Sequence, residues 1–143
     1  MLKRFVLGAV LALTAGTGVS QAYPLFWNWG YGGNPYYRSL AIGWVRLYLR
    51  RNPTAWEVLL IENQLDAGFT ADQVQANILA SNEYYVRAGG NNFRFIQNMV
   101  ADVLGRLPTL EEQSYLLGRI FNGGRYAAAL DTLVSRWLPY PYW

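Results

Sequence analysis

The chain has 143 residues, none of them Cys or His, and a formal net charge of +3. Without thiol or imidazole, the common zinc sets and the Ser–His and Cys–His nucleophile pairs are excluded, and stability has to come from packing rather than cross-links. Lys3 and Arg4 sit at the extreme N-terminus, so the remainder carries ten Arg against nine acids, a near-neutral balance that argues against nucleic acid as the partner.

Residues 1–22 read as a secretory signal peptide. Lys3 and Arg4 form a basic start, Phe5 to Leu13 is a short apolar run, and Ser20-Gln21-Ala22 puts small residues where a signal peptidase inspects them. The run is too short for a permanent span, and no later stretch is long and apolar enough to cross a membrane. The expectation is export, cleavage before Tyr23 and an extracytoplasmic chain, secreted or periplasmic, of about 120 residues, enough for one small core. A retained N-terminal anchor is the alternative.

Residues 23–38 are rich in Gly and aromatics and have no period, which predicts a loop or an extended arm. Phe26, Trp27, Trp29, Tyr31, Tyr36 and Tyr37 either fold back over the rest of the chain or form an exposed platform for sugar rings or a partner. Residues 139–143 are an aromatic tail that adds Tyr140, Tyr142 and Trp143 to this candidate ligand-binding set, and Asn28 and Asn34 are placed to bond sugar hydroxyls.

From residue 39 the spacing is helical. Leu40, Trp44, Leu47 and Tyr48 predict a first helix opened by Asn34 or Ser39 and stopped before Pro53. A second helix runs from Thr54 to Gly68, and a third from Thr70 with Val74, Ile78 and Leu79 inward. Ser81 to Tyr85 is a short aromatic turn before Gly89-Gly90. Asn91 or Asn92 caps the clearest amphipathic helix, with Ile96, Met99, Val100, Val103 and Leu104 on one face. Thr109 to Gly123 is the next helix, and a last one carries Tyr126, Leu130, Leu133, Val134 and Trp137.

These helices are written twice. Arg51, Pro53, Thr54, Glu57 and Gly68 recur fifty-five positions later as Arg106, Pro108, Thr109, Glu112 and Gly123, with Val45 and Val100, Leu49 and Leu104, and Ile78 and Leu133 in the same register. Each Thr-x-x-Glu is a capping box, each Pro biases the entering chain away from helix, and each Gly suits a left-handed helix end. The fold class expected is all-α: two tandem three-helix repeats, residues 39–90 and 91–138, packed as one small domain behind an irregular aromatic arm.

Leu104-Gly105-Arg106-x-Pro108, with Ser81-x-Glu83-Tyr84-Tyr85-x-Arg87-x-Gly89-Gly90 in the first unit, resembles the domain-of-unknown-function family 4214 over roughly Leu40 to Trp137. The resemblance implies a bacterial helical repeat in a secreted or surface context and implies no reaction. The first unit departs from it with Leu49-Arg50-Arg51 in place of Leu-Gly-Arg, and the second with Ser135-Arg136-Trp137 in place of Ser-x-Glu-Tyr.

Little catalytic chemistry remains. No Gly-rich phosphate loop and no calcium loop is present, and no cofactor or metal is implied. Paired carboxylates would have to come from Glu57, Glu62, Glu111 and Glu112; Glu57 and Glu112 already cap helices, and Glu62 stands among apolar neighbours, as a buried acid of raised pKa or, more often for such a Glu, facing solvent or paired with an Arg. Arg51 and Arg106 are expected to bond helix-end carbonyls or the capping Glu, and Glu83 to pair with Arg87 one turn on. The leading expectation is a non-catalytic interaction or structural module that binds an envelope protein. The alternative is a carbohydrate- or cell-wall-binding module that takes a surface polysaccharide on the aromatic set.

Overall fold

The computed structural model describes residues 33–138, and among them all regular structure is helical. The helices are α1 (Pro35–Leu49), α2 (Ala55–Asp66), α3 (Ala71–Ala80), α4 (Asn82–Arg87), α5 (Asn92–Leu104) and α6 (Leu110–Ser135). The signal segment, Phe26, Trp27, Trp29, Tyr31, Tyr140, Tyr142 and Trp143 lie outside the described residues.

The helix starts are set by side chains. Thr54, Thr70 and Thr109 each accept from the backbone N–H three residues on, while Glu57, Gln73 and Glu112 reach back to the capping N–H. Each box satisfies two of the four orphan donors of a helix start. Asn34 caps α1, so Tyr36 and Tyr37 stand in its first turn and not in the arm where they were expected. Pro35 fits at this position because its missing N–H would have been an orphan.

The ends follow the glycines. The Gly68 N–H donates to Leu65 and the Phe69 N–H to Gln64, closing α2 in a Schellman turn with Gly68 at φ 91°. Gly105 ends α5 in the left-handed region at φ 70°, and Arg50, its equivalent in the first unit, ends α1 in the same way at φ 58°. For a residue with a Cβ that conformation costs about 1–2 kcal/mol. The departure from Leu-Gly-Arg in the first unit is thus a strained Arg in a glycine's position.

The helices are not divided three and three. Residues expected to form an aromatic turn are α4, capped by the Ser81 hydroxyl and closed by Gly89. Six residues cannot hold a helix in water unaided; α4 is held by Tyr84, which is fully buried, edge-on to Tyr48 of α1 at 6.5 Å and to Phe95 of α5 at 5.9 Å. In the second unit the two expected helices form one element, α6, bent where Gly124 takes φ 74° and ψ 178°.

The main packing is α3 on α6, α5 on α6 and α1 on α2. Ala41, Val45, Tyr48 and Leu49 form the buried face of α1, whereas Leu47, expected inside, is exposed. On α5, Phe95, Ile96, Met99 and Val100 are buried, with Val103 and Leu104 packed beside them. On the second half of α6 the buried residues are Ala128, Ala129, Thr132 and Leu133, while Tyr126, Val134 and Trp137, also expected inside, face solvent. Small residues at that seam let α3 and α6 approach closely.

Two glycines should respond to alanine with opposite sign. Gly43 is exposed within α1, and a Cβ there meets nothing within 4 Å, so Gly43→Ala should stabilise by about 0.5–1 kcal/mol. At Gly124 the backbone lies in a region essentially confined to Gly, so Gly124→Ala should cost about 1–3 kcal/mol. Urea unfolding of the two variants checks both.

Candidate functional site

The repeated Arg and Glu meet. The Arg106 guanidinium donates to both carboxylate oxygens of Glu112, at 2.5 and 2.7 Å, and to the Leu107 carbonyl. The Arg51 guanidinium does the same with Glu57, at 2.5 and 2.8 Å, and with the Asn52 carbonyl. Glu57 and Glu112 are both buried, and each also accepts from the N–H of its capping Thr. Each carboxylate therefore serves two orders of structure at once: it finishes a helix start and anchors the loop before it.

Arg51 goes further and donates to both oxygens of Glu83 on α4, at 2.6 and 2.8 Å. Glu83 was expected to pair with Arg87; it is drawn to Arg51 across the fold instead. The hydrogen bonds Arg51 donates to Glu57 first, then to Glu83, raise its pKa. Burial alone would lift Glu57, but the Arg51 and Thr54 hydrogen bonds outweigh it and hold the carboxyl below its ordinary value.

Three aspartates that the sequence reading did not single out tie distant segments. Asp102 on α5 accepts from Arg50 at 3.0 Å, the Tyr84 hydroxyl at 2.9 Å and Arg87 at 3.2 Å. Asp72 in the first turn of α3 accepts from Arg136 at 2.7 Å and the Trp137 indole at 3.2 Å, joining the end of α6 to α3. Asp131 accepts from Tyr115 at 2.9 Å and Arg119 at 2.5 Å across the bend at Gly124. None lies in a motif, and their partners are up to 65 residues away.

The candidate acids are dispersed among these clasps. Glu62 is buried and does not face solvent, and it is paired with Arg38 at 3.2 Å. Glu111 is exposed. Among the described residues, the place where two carboxylates converge is on Arg51, which donates to both and offsets one of their two charges. The pocket among α1, α2 and α3 holds about 20 Å³, room for a single water, and the larger space of about 390 Å³ beside Arg46, Arg50, Arg51 and Asn52 is an open surface depression and not a cleft that would bury a ligand. The Gln64 side-chain oxygen in the lining of the smaller one lacks a protein partner, which suits a water there.

Of the aromatic set, Tyr36 is exposed and Tyr37 half-buried against the core, with ring centroids 6.1 Å apart and planes at 48°; the pair is not a flat platform. The larger apolar surface is elsewhere. Leu107, Leu110, Leu117 and Phe121 are exposed, Leu110 and Phe121 by 84% and 76%. On α6, Leu110, Leu117 and Phe121 fall within about 40° around the axis and form a narrow stripe. Phe93 and Leu117 occupy the positions that the Arg38–Glu62 pair holds in the first unit, and Phe93 is 56% exposed. A polar contact of the first unit is replaced by two apolar side chains in the second. A periodicity reading misses this stripe because it assigns apolar residues to the core.

Set against protein-family models, curated proteins and solved structures, the chain matches none of them. Among the described residues no helix is long and apolar enough to cross a membrane.

The titrating groups give a pH dependence with a defined sign at each end. Because Glu57 is depressed in the fold, its contribution is present above its ordinary value of 4.5 and is lost as pH falls through the lower folded value. Burial foremost pushes Tyr48 up to about 12 and Tyr84, beside Asp102, higher still. Their neutral forms belong to the fold, so stability should also fall as pH rises above the ordinary tyrosine value of 10. Urea midpoints should drop below pH 4.5 and above pH 10, with Glu57→Gln flattening the acid limb and Tyr84→Phe the alkaline one.

Proposed function

We propose that this chain is a non-catalytic helical interaction module that works outside the cytoplasm and binds a protein of the cell envelope through the face of α6 that carries Leu110, Leu117 and Phe121. The exposed stripe carries the reading. A monomeric protein seldom leaves such side chains aligned in water. A stripe this narrow suits one apolar helix of a partner, laid along it as in a helix–helix seam.

The chemistry of the acids supports the non-catalytic part. Seven of the nine carboxylates pair with an Arg within 3.2 Å, and the other two, Asp66 and Glu111, are exposed. Acid–base work needs a carboxyl with a perturbed pKa facing a cleft, and here the carboxylates are spent on holding helices. The extracytoplasmic setting rests on the basic start, apolar run and small residues of the first 22 positions, and agrees with the context implied by the resemblance to family 4214.

A photoreactive benzoylphenylalanine in place of Phe121 tests the reading with the exported chain and an envelope extract of its own cells. The expected result is one adduct with one other protein, competed by unmodified chain and at least tenfold less well by Leu117→Asp, which sits on an already exposed position and should stay folded. Adducts that both competitors suppress equally, adducts only with a second copy, or no adduct at all would overturn it. If the chain instead pellets with purified cell wall and Leu117→Asp pellets equally, the ligand is a polysaccharide bound elsewhere.

A further inference from the structure

We infer that the C-terminal end of α1 binds a phosphate group through Arg46, Arg50 and Asn52. With Arg51, these side chains line the open depression of about 390 Å³, and what they offer there is donors. Arg46 donates through Nε to the Asn52 Oδ1 at 3.0 Å. That bond occupies the acceptor of the amide and leaves its Nδ2 to donate, and it leaves both Nη atoms of Arg46 without an acceptor among the described residues. Arg50 gives one Nη to Asp102 at 3.0 Å and keeps its other N–H groups.

The second unit shows which of these residues the fold requires. Fifty-five positions on, Arg51 is kept as Arg106, with the same clasp on a capping Glu. Arg46, Arg50 and Asn52 become Ala101, Gly105 and Leu107. A basic side chain in the last turn can serve the dipole of a helix, as Arg46 does on α1, but α5 ends in the same left-handed turn with none. The Asn52 side chain is not needed to anchor the clasp, because Arg106 finds the Leu107 carbonyl just as Arg51 finds that of Asn52. Nor does Asp102 depend on Arg50, since it also accepts from Tyr84 and Arg87. The three donors are additions to a helix end that forms without them, and they gather in one depression.

Arg50 is kept there against a backbone cost. At φ 58° it holds a conformation that Gly105 takes freely, and strain of this kind is a mark of functional positions. The charge also has the right sign. Arg50, Arg51 and Arg87 are paired with Asp102, Glu57 and Glu83, whereas Arg46 has no acidic partner among the described residues, so the depression carries positive charge. Guanidinium forks match the oxygens of a phosphate, and each bond they make to it is charge-assisted. Because the depression is open, the phosphate keeps part of its hydration, and the expected dissociation constant is about 1–10 mM. The same chemistry serves a soluble phosphate and the headgroup of an anionic lipid. This inference is independent of what α6 binds.

The test is a titration of the nitrogen-15-labelled exported chain with inorganic phosphate, against sodium chloride at matched ionic strength. Phosphate should shift and saturate the amide signals of residues 46–52, and chloride should not. The Arg46→Ala/Arg50→Gly variant gives the first unit the residues the second already carries, and its fold is checked by circular dichroism. It should bind phosphate about fivefold more weakly or worse, and Arg46→Ala alone should weaken binding in the same direction. Arg94→Ala, at an exposed arginine on α5, should leave it unchanged. Shifts that chloride reproduces, no saturable shift at residues 46–52, full binding by the folded double variant, or an equal loss in Arg94→Ala would each overturn the proposal. Sedimentation with vesicles then separates the two sources. Pelleting with phosphatidylglycerol but not phosphatidylcholine, lost in the double variant, assigns the phosphate to a lipid headgroup. No pelleting, or pelleting that the variant shares, assigns it to a soluble phosphate.

Discussion

The fold depends on a buried carboxylate that is used twice. Glu57 and Glu112 each close the start of a helix and each hold an Arg from the loop before it. A surface Arg–Glu pair contributes little because two flexible side chains have to be ordered in water. Here the carboxylate is already fixed by the capping N–H and the guanidinium by a loop carbonyl, so the pair forms between groups that have little freedom left. The result is a set angle between α1 and α2, and between α5 and α6. The apolar faces of each pair can then meet the same core.

From those two clasps the rest follows by bridging. Arg51 extends its clasp to Glu83 and so positions α4, whose Tyr84 fills the space between α1 and α5. Asp102 receives the Tyr84 hydroxyl together with Arg50 and Arg87, and joins the two units where Arg50 accepts a left-handed backbone that a glycine would adopt freely. Asp72 and Asp131 secure the far end of α6 and its bend. Seven of the nine carboxylates are thereby engaged within the structure, and the exposed apolar side chains include the stripe on α6 and Trp56 and Leu59 on α2.

The two units have diverged in what they show to solvent. In the first, the half-exposed Arg38 is paired with the buried Glu62, and Gly33 lies against that carboxylate. In the second, the same positions hold Phe93 and Leu117, flanked by Leu110 and Phe121. The clasp, the caps and the inner face recur in both units, and the outer face is where they differ. That asymmetry is the observation on which the proposal of recognition by the second unit rests.

The sequence by itself determined the all-α class, the helix starts at Thr54, Thr70 and Thr109, the glycine ends at Gly68 and Gly105, and the partnership of Arg51 and Arg106 with their capping acids, whereas the end expected at Gly123 is a bend at Gly124 within α6. These rest on contacts a few residues apart, where spacing alone decides who can meet. The tertiary structure decided the rest. Glu83 turned from Arg87 to Arg51 because a guanidinium bound bidentately across the fold outcompetes a neighbour one turn away. A six-residue helix formed at Asn82–Arg87 because burial of Tyr84 between two other helices offsets its weak local propensity. Tyr126 and Val134 turned outward because α6 buries Ala128, Ala129, Thr132 and Leu133 instead, Leu47 because α1 buries the face of Ala41, Val45, Tyr48 and Leu49, and Trp137 lies past the end of α6 with its indole on Asp72. Periodicity says that a face is apolar; only packing against a particular neighbour says which apolar face is buried and which is left to bind.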